Sequence, residues 1–243
     1  MKYEFEVIAF DLTSCIIAAE NGVTRIELCA NPLEGGTTPS FGIIKEARKI
    51  SAIQLFPIIR PRGGDFYYST HEFNSMLHDI QQCRDLGCDG VVIGMLKKDG
   101  SIDIEKNREL VDAAKGMDVT FHRAFDRVND PFVALEQIIS IGCKRILTSG
   151  LKPNVIEGME TLKELVIKAG NRITIMPGSG VRSNNIIQLA EYTNAKSFHS
   201  SARKNKDSVM DFQNPNMRET LTHATIDADE VRALKNELDI YFN

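Results

Sequence analysis

Short apolar runs recur along the chain and alternate with helix-length segments bounded by caps and glycines. The runs predict strands over Tyr3–Phe10, Arg25–Cys29, Gln54–Arg60, Asp89–Gly94, Val119–His122, Lys144–Gly150, Arg172–Gly180 and Lys196–Ser201, the sixth and seventh including their exit loops. Helices are predicted from Asp11 to about Asn21, Phe41 to Ile50, His71 to Leu86, Asp103 to Ala114, Asp130-Pro131 onward, Glu157 to Ala169, Asn184 to Tyr192, and Asp227 to about Leu238. Gly22 and Gly87 stand at helix stops, and Asp130-Pro131 places a cap and a first-turn proline together. Asp227-Ala228-Asp229-Glu230 has capping-box spacing. The stretch Lys204–Ile226 reads as a polar loop before the last helix.

Strands that are short and apolar, each followed by a helix, belong in a parallel sheet covered by helices. A closed, TIM-like (β/α)8 barrel is the simplest solution for the α/β pattern. A doubly wound open sheet would place a glycine fingerprint after the first strand, where this chain has Asp11-Leu12-Thr13. No linker divides residues 1–243, which are read as one domain. A chain of this length buries roughly 70% or more of its unfolded surface.

Composition changes this picture little. A net charge of −4, from 29 Lys plus Arg against 33 Asp plus Glu, argues against nucleic acid as a partner. No apolar stretch has the length of a membrane span, and the first residues lack a signal-peptide core. Cys15, Cys29, Cys83, Cys88 and Cys143 are scattered and odd in number, which predicts reduced thiols in the cytoplasm.

In a barrel, ligands meet the carboxyl ends of the strands. Parity along the strands brings Glu27 and Cys29 to one face, and Arg60 and Arg62 to another. The string Val119–Asp126 starts as a buried strand and ends in His122, Arg123 and Asp126. The candidate acid–base residues are therefore Glu27, His122, Asp126 and His199. The candidate anion-binding set is Arg60, Arg62, Arg123, Ser149, Gly178, Ser179, Gly180, Ser201 and Arg203; barrels often hold phosphate between their last two loops. The alternative reading of the two glycine-rich loops is that they only permit sharp turns. Cys29 is the best-placed thiol for a soft metal, with His122, Met176 and His199 as conceivable companions for Cu(I). His71 and His78 read as surface groups and His223 has no assigned role. Phe66-Tyr67-Tyr68 reads as an exposed aromatic patch, an interface or a cover for the barrel mouth.

Several strings together resemble the CutC family, the copper homeostasis proteins. They include Arg25-Ile26-Glu27-Leu28-Cys29, Gly35-Gly36-Thr37-Thr38-Pro39-Ser40, Arg60-Pro61-Arg62-Gly63-Gly64-Asp65 and Phe121-His122-Arg123-Ala124-Phe125-Asp126. Ile146–Gly150, Ile175–Val181 and His199–Arg203 continue the match, which spans about residues 3 to 203. Ser179 stands where the family turn is expected to carry a third glycine. The resemblance implies a TIM-like barrel, a cytoplasmic homo-oligomer (dimer or tetramer), and a role in copper homeostasis through Cu(I) binding. The residues themselves leave two further functions open. One is acid–base catalysis on a small phosphorylated or carboxylated metabolite; the other is a barrel that binds such an anion without turning it over.

Overall fold

The apolar runs do form parallel strands, and the described residues of this computed structural model are 2–50 and 53–243. Met1, Ser51 and Ala52, within the single domain read from sequence, lie outside them. The eight repeats are β1 (Glu4–Ala9), α1 (Leu12–Glu20), β2 (Arg25–Leu28), α2 (Phe41–Ala47), β3 (Gln54–Pro57), α3 (Thr70–Asp85), β4 (Gly90–Ile93), α4 (Ile104–Ala113), β5 (Asp118–Phe121), α5 (Pro131–Ser140), β6 (Arg145–Thr148), α6 (Met159–Ala169), β7 (Thr174–Pro177), α7 (Ile186–Thr193), β8 (Ser197–Ser200) and the closing helix α8 (Ala228–Phe242).

The strands pair in parallel as β3-β2-β1-β8 and β4-β5-β6-β7. β3 meets β4 through Ile59 N–H donating to Val92 O at 2.8 Å and a parallel bridge between Ile58 and Val92. β7 lies beside β8, which closes the ring. The helices bury Leu and Ile faces outside it, such as Met76 and Ile80 of α3 and Leu162 and Leu165 of α6. Caps fix where they begin: Ser69 and Glu72 form a reciprocal capping box on α3, and Asp130 accepts from Phe132 N–H and Val133 N–H.

The barrel interior is unusually polar toward the amino ends of the strands. Arg25 is fully buried and donates to Glu6 through Nε and to Glu4 through both Nη atoms. The Phe56 ring lies between the guanidiniums of Arg25 and Arg145, 5.2 and 5.3 Å from its centroid. Buried charges persist only when paired and hydrogen-bonded, and these are.

Two expectations are corrected. The stretch read as a polar loop begins and ends in an antiparallel ribbon, β9 (Arg203–Lys206) with β10 (His223–Ile226). β9 is polar and exposed throughout, so no hydrophobic alternation announces it; β10 is recruited by packing on α1, where Ile226 N–H donates to Ser14 Oγ at 3.3 Å. The spacing Asp227–Glu230 makes no reciprocal box either. Asp227 caps through Asp229 N–H, while Glu230 reaches back to Ser183 N–H and Oγ, tying α8 to the β7–α7 loop.

Candidate functional site

Side-chain alternation on the central strands aims one set of residues up the barrel axis. Glu27 on β2, His122 after β5 and His199 on β8 line one cavity of about 220 Å³ at the carboxyl ends, together with Arg60, Arg123 and Arg203. A wider vestibule of about 610 Å³ lies outside it, between Glu34, Arg123, Asp126 and Lys152.

The floor is a chain of three groups. Glu6 Oε1 accepts from His199 Nδ1 at 2.7 Å, and His199 Nε2 stands 3.7 Å from Glu27 Oε2. Burial alone would raise the Glu6 carboxyl, yet the Arg25 charge and the His199 bond bring it down to about 2, so Glu6 stays ionised. Burial likewise works against a charged His199, but the Glu6 hydrogen bond and the Glu27 and Glu6 charges outweigh it and raise its pKa. Burial pushes Glu27 up to about 7, with the Glu6 charge adding to it and His199 opposing. Sequence reading left Glu6 out of the site. Its signal was there, since Glu4 and Glu6 share parity with Ile8 on β1, and an apolar barrel would not spend two inward carboxylates there.

His122 sits in the wall and differs in kind. Its Nδ1 accepts from Ala124 N–H at 3.1 Å, which puts the ring proton on Nε2. Nε2 is buried and has no hydrogen-bond partner among the described residues. Burial, and then the Arg60 charge, hold its pKa down at about 3, so the ring is neutral and Nε2–H is an unspent donor. Phe66 packs against it at a tilt of 46°, with centroids 5.0 Å apart. Gly94 must be glycine here, because a Cβ would come within 2.6 Å of the ring.

The cations divide into builders and binders. Arg60 is 5% exposed and donates to the carbonyls of Glu34, Gly36 and Gly64 at 2.6, 2.7 and 2.9 Å. Its guanidinium fastens the loops after β2 and β3, and among the described residues its Nε finds no partner. Arg62, expected to bind an anion, instead turns to Glu72 and Asp65, because β3 ends at Pro57 and the strand parity on which that expectation rested does not reach residue 62. Arg123 pairs with Asp126 at 2.7 Å and reaches Ser149 Oγ at 3.0 Å, with its side chain 43% exposed at the rim. Arg203 is exposed at the same rim, and among the described residues its side chain makes no ion pair or hydrogen bond.

Other expected residues are spent on architecture. Asp126 accepts from Thr148 Oγ1, Ser149 N–H and Oγ, and Leu151 N–H, so it organises the β6 exit loop rather than facing the inner cavity. Ser149 belongs to that same knot. Gly178 N–H donates to Thr148 O, and a Cβ at this position would come within 2.4 Å of Leu147 and 3.2 Å of His199. Gly180 takes φ +80 beside Asn154. Ser179 lines the cavity at φ +90, a backbone state ordinarily left to glycine, and its Oγ donates to Pro153 O at 3.0 Å. Ser201 lines the cavity beside it, while Ala202 N–H is taken by Ser200 Oγ.

Cys29 lies apart from the donors. It is 1% exposed in an apolar nest with Phe56, Ile58 and Val92. Burial, then the Glu27 and Glu6 charges, raise its thiol well above the ordinary value. Met176 turns its sulfur to Arg25 Nη2 at 3.4 Å. The aromatic stretch divides: Tyr68 is buried, Tyr67 is exposed and Phe66 roofs the cavity.

The comparisons with known proteins agree with one another. The family model described as CutC family matches residues 3–204. A protein of Parabacteroides distasonis named family protein CutC is 51% identical over 218 residues, 89% of this chain and 90% of that one. A mouse protein named copper homeostasis protein cutC homolog is 42% identical over 236 residues, 94% and 87% of the two chains. A CutC crystal structure from Streptococcus agalactiae superposes with a TM-score of 0.79 at 36% identity, over 82% of this chain and 98% of that one.

Proposed function

We propose that this chain, which belongs to the CutC family, binds a small phosphorylated or carboxylated carbonyl compound at the barrel mouth and moves a proton on it. One observation carries the reading. A carboxyl held near neutrality, Glu27, and a neutral imidazole with an unspent N–H, His122, line the same 220 Å³ cavity. A base poised near working pH paired with a neutral donor is what abstraction of a proton beside a carbonyl requires.

The roles follow from position. Arg203 and Arg123, with Ser201, hold the anionic group at the rim. The Glu27 carboxylate takes the proton from the carbon next to the carbonyl, and that electron pair moves onto the carbonyl oxygen. His122 Nε2–H donates to the oxygen as charge builds there. His199, held by the ionised Glu6, sets the charge that Glu27 feels and relays its proton. Where the deprotonated carbon carries a hydroxyl, that hydroxyl gives its proton to the enolate oxygen and becomes the new carbonyl while Glu27 returns its proton to the former carbonyl carbon, which completes an isomerisation. Where a leaving group sits on the next carbon, the enolate pair re-forms the carbonyl and expels that group, which takes the proton held by Glu27, and this completes an elimination.

Copper supplies a second reading through the name of the mouse relative. At Cys29 it is the weaker one, because burial and two carboxylates hold that thiol protonated and Cu(I) needs the thiolate. A cytoplasmic homo-oligomer, dimer or tetramer, is part of the proposal. Five free thiols suit the first, and the exposed Val209, Met210 and Phe212 between β9 and β10 offer a surface for the second.

Calorimetric titration with phosphorylated and carboxylated carbonyl compounds tests the assignment. Arg203→Ala is expected to weaken binding by about tenfold or more, the scale of one charge-assisted contact. Equal binding by wild type and Arg203→Ala sinks the rim site, and binding without turnover leaves a non-catalytic barrel.

A further inference from the structure

The residues assigned so far leave much of the mouth's volume and charge unused. The inner cavity, at about 220 Å³, is smaller than the roughly 300–1,000 Å³ of ordinary small-molecule sites, and the vestibule of about 610 Å³ falls inside that range. The two adjoin along Gly35, Arg60, Phe66 and Arg123. Arg127 and Lys152 line the vestibule and not the inner cavity. Both are exposed, and among the described residues neither side chain makes an ion pair or a hydrogen bond. Two acids share the lining. Asp126 is already paired with Arg123, so Glu34 alone stands against two free cations. The backbones that carry the cations are fixed. Leu151, at φ +61, gives its N–H to Asp126 Oδ1 at 3.2 Å, and Lys152 O accepts from Ser149 Oγ at 2.5 Å. Just past Arg127, Asn129 N–H donates to Gly100 O at 3.1 Å, which ties the β5 exit to the β4 exit. A further recess of about 760 Å³ borders Arg127, with Lys97 in its lining and the Lys98 ammonium 5.2 Å from the Tyr67 ring centroid. A chain of net charge −4 thus gathers free cations on one side of its mouth.

We infer that the carbonyl compound proposed above for the mouth is bis-anionic, with a phosphate at its far end held in the vestibule by Arg127 and Lys152; this rests on the mouth being the site of such a compound. The carbonyl head and its own anionic group occupy the inner cavity, against Arg123, Arg203 and Ser201. One anion cannot serve both sets of cations, because Arg127 and Lys152 lie outside the inner cavity. Phosphate suits the vestibule better than carboxylate: the Arg127 fork bonds two of its oxygens at once, and a third is left for the Lys152 ammonium. The second contact adds affinity and discriminates against shorter, singly charged compounds.

The test is calorimetric titration of the full-length protein with ribulose, xylulose and fructose monophosphates and the corresponding bisphosphates. Wild type is compared with Arg127→Ala, Lys152→Ala and the double variant, whose folding the exposed positions of both side chains leave intact. At least one bisphosphate is expected to bind wild type about tenfold or more tightly than its monophosphate, the scale of one charge-assisted contact. Each single variant is expected to lose part of that preference, and the double variant to bind the two compounds alike. A panel in which no bisphosphate exceeds its monophosphate, or a double variant that keeps the wild-type preference, would overturn the inference; the reading of a singly anionic compound at Arg203 would stand. Conversely, a preference lost in the double variant, with no loss of the proton beside the carbonyl in D2O, upholds the two-anion site and overturns the proton transfer alone.

Discussion

Glu27 and His122 are buried titratable groups displaced in opposite directions, and stability must register both. His122 has a native pKa of about 3, so between its ordinary value of about 6.5 and 3 the unfolded chain binds a proton that the native state refuses. Stability is therefore lost as pH falls through that window, and Glu6, at about 2 in the native state, adds further loss below about 4.5. Glu27 does the reverse. Its native pKa of about 7 means its contribution is complete below about 4.5 and is lost as pH rises to 7. Denaturant melts between pH 3 and 8 are expected to give a dome for wild type. Glu27→Gln should flatten the alkaline limb, gaining about 1–3 kcal/mol over wild type at pH 8 relative to pH 5. His122→Gln should flatten the acid limb. A Glu27→Gln curve parallel to wild type would show that the carboxyl titrates as an ordinary one.

At the scale of elements, loops rather than strands decide which residues serve the ligand. Strand parity read from sequence aimed Glu27, His122 and His199 into one space, because a covered parallel strand has only two faces. It failed where the chain leaves the strand. Arg62 lies past the end of β3, Asp126 sits in the tight turn Arg123–Arg127, and the amides of Gly178 and Ala202 are taken by Thr148 O and Ser200 Oγ. Such pairings depend on distant loops meeting, which no local pattern encodes. Glu6 was missed for a different reason: its partner Arg25 lies one strand away, and an inward charge was not expected beneath a cavity. Arg60 shows the same lesson in energy. Because it satisfies three loop carbonyls, Arg60→Lys is expected to cost about 2–4 kcal/mol, the scale of losing hydrogen bonds to a buried charged group. Amide exchange should quicken in residues 31–40 and 61–65 first. Unchanged protection there would return Arg60 to the role of a free anion ligand.

The whole molecule was the most legible scale. Eight strand–helix repeats without a linker admit few architectures, and ring closure follows once β3 meets β4 and β7 lies beside β8. The ribbon β9–β10 was invisible because its strands are polar and its partner lies 17 or more residues away in sequence, from Lys206 to His223. Barrel geometry then explains why polar groups from β1, β2, β5 and β8 converge: their carboxyl ends share one mouth, while the amino ends hold the Arg25–Glu6 network that fixes the floor. The central claim is that this mouth transfers a proton. Its most direct measurement is hydrogen–deuterium exchange at carbon, followed by NMR, with a panel of phosphorylated and carboxylated carbonyl compounds in D2O and wild-type or Glu27→Gln protein. The account predicts that a compound which binds wild type loses the proton beside its carbonyl, and that Glu27→Gln still binds it but slows the exchange by at least 100-fold. Exchange that proceeds equally in Glu27→Gln, or compounds that bind tightly with no exchange in wild type, would contradict it.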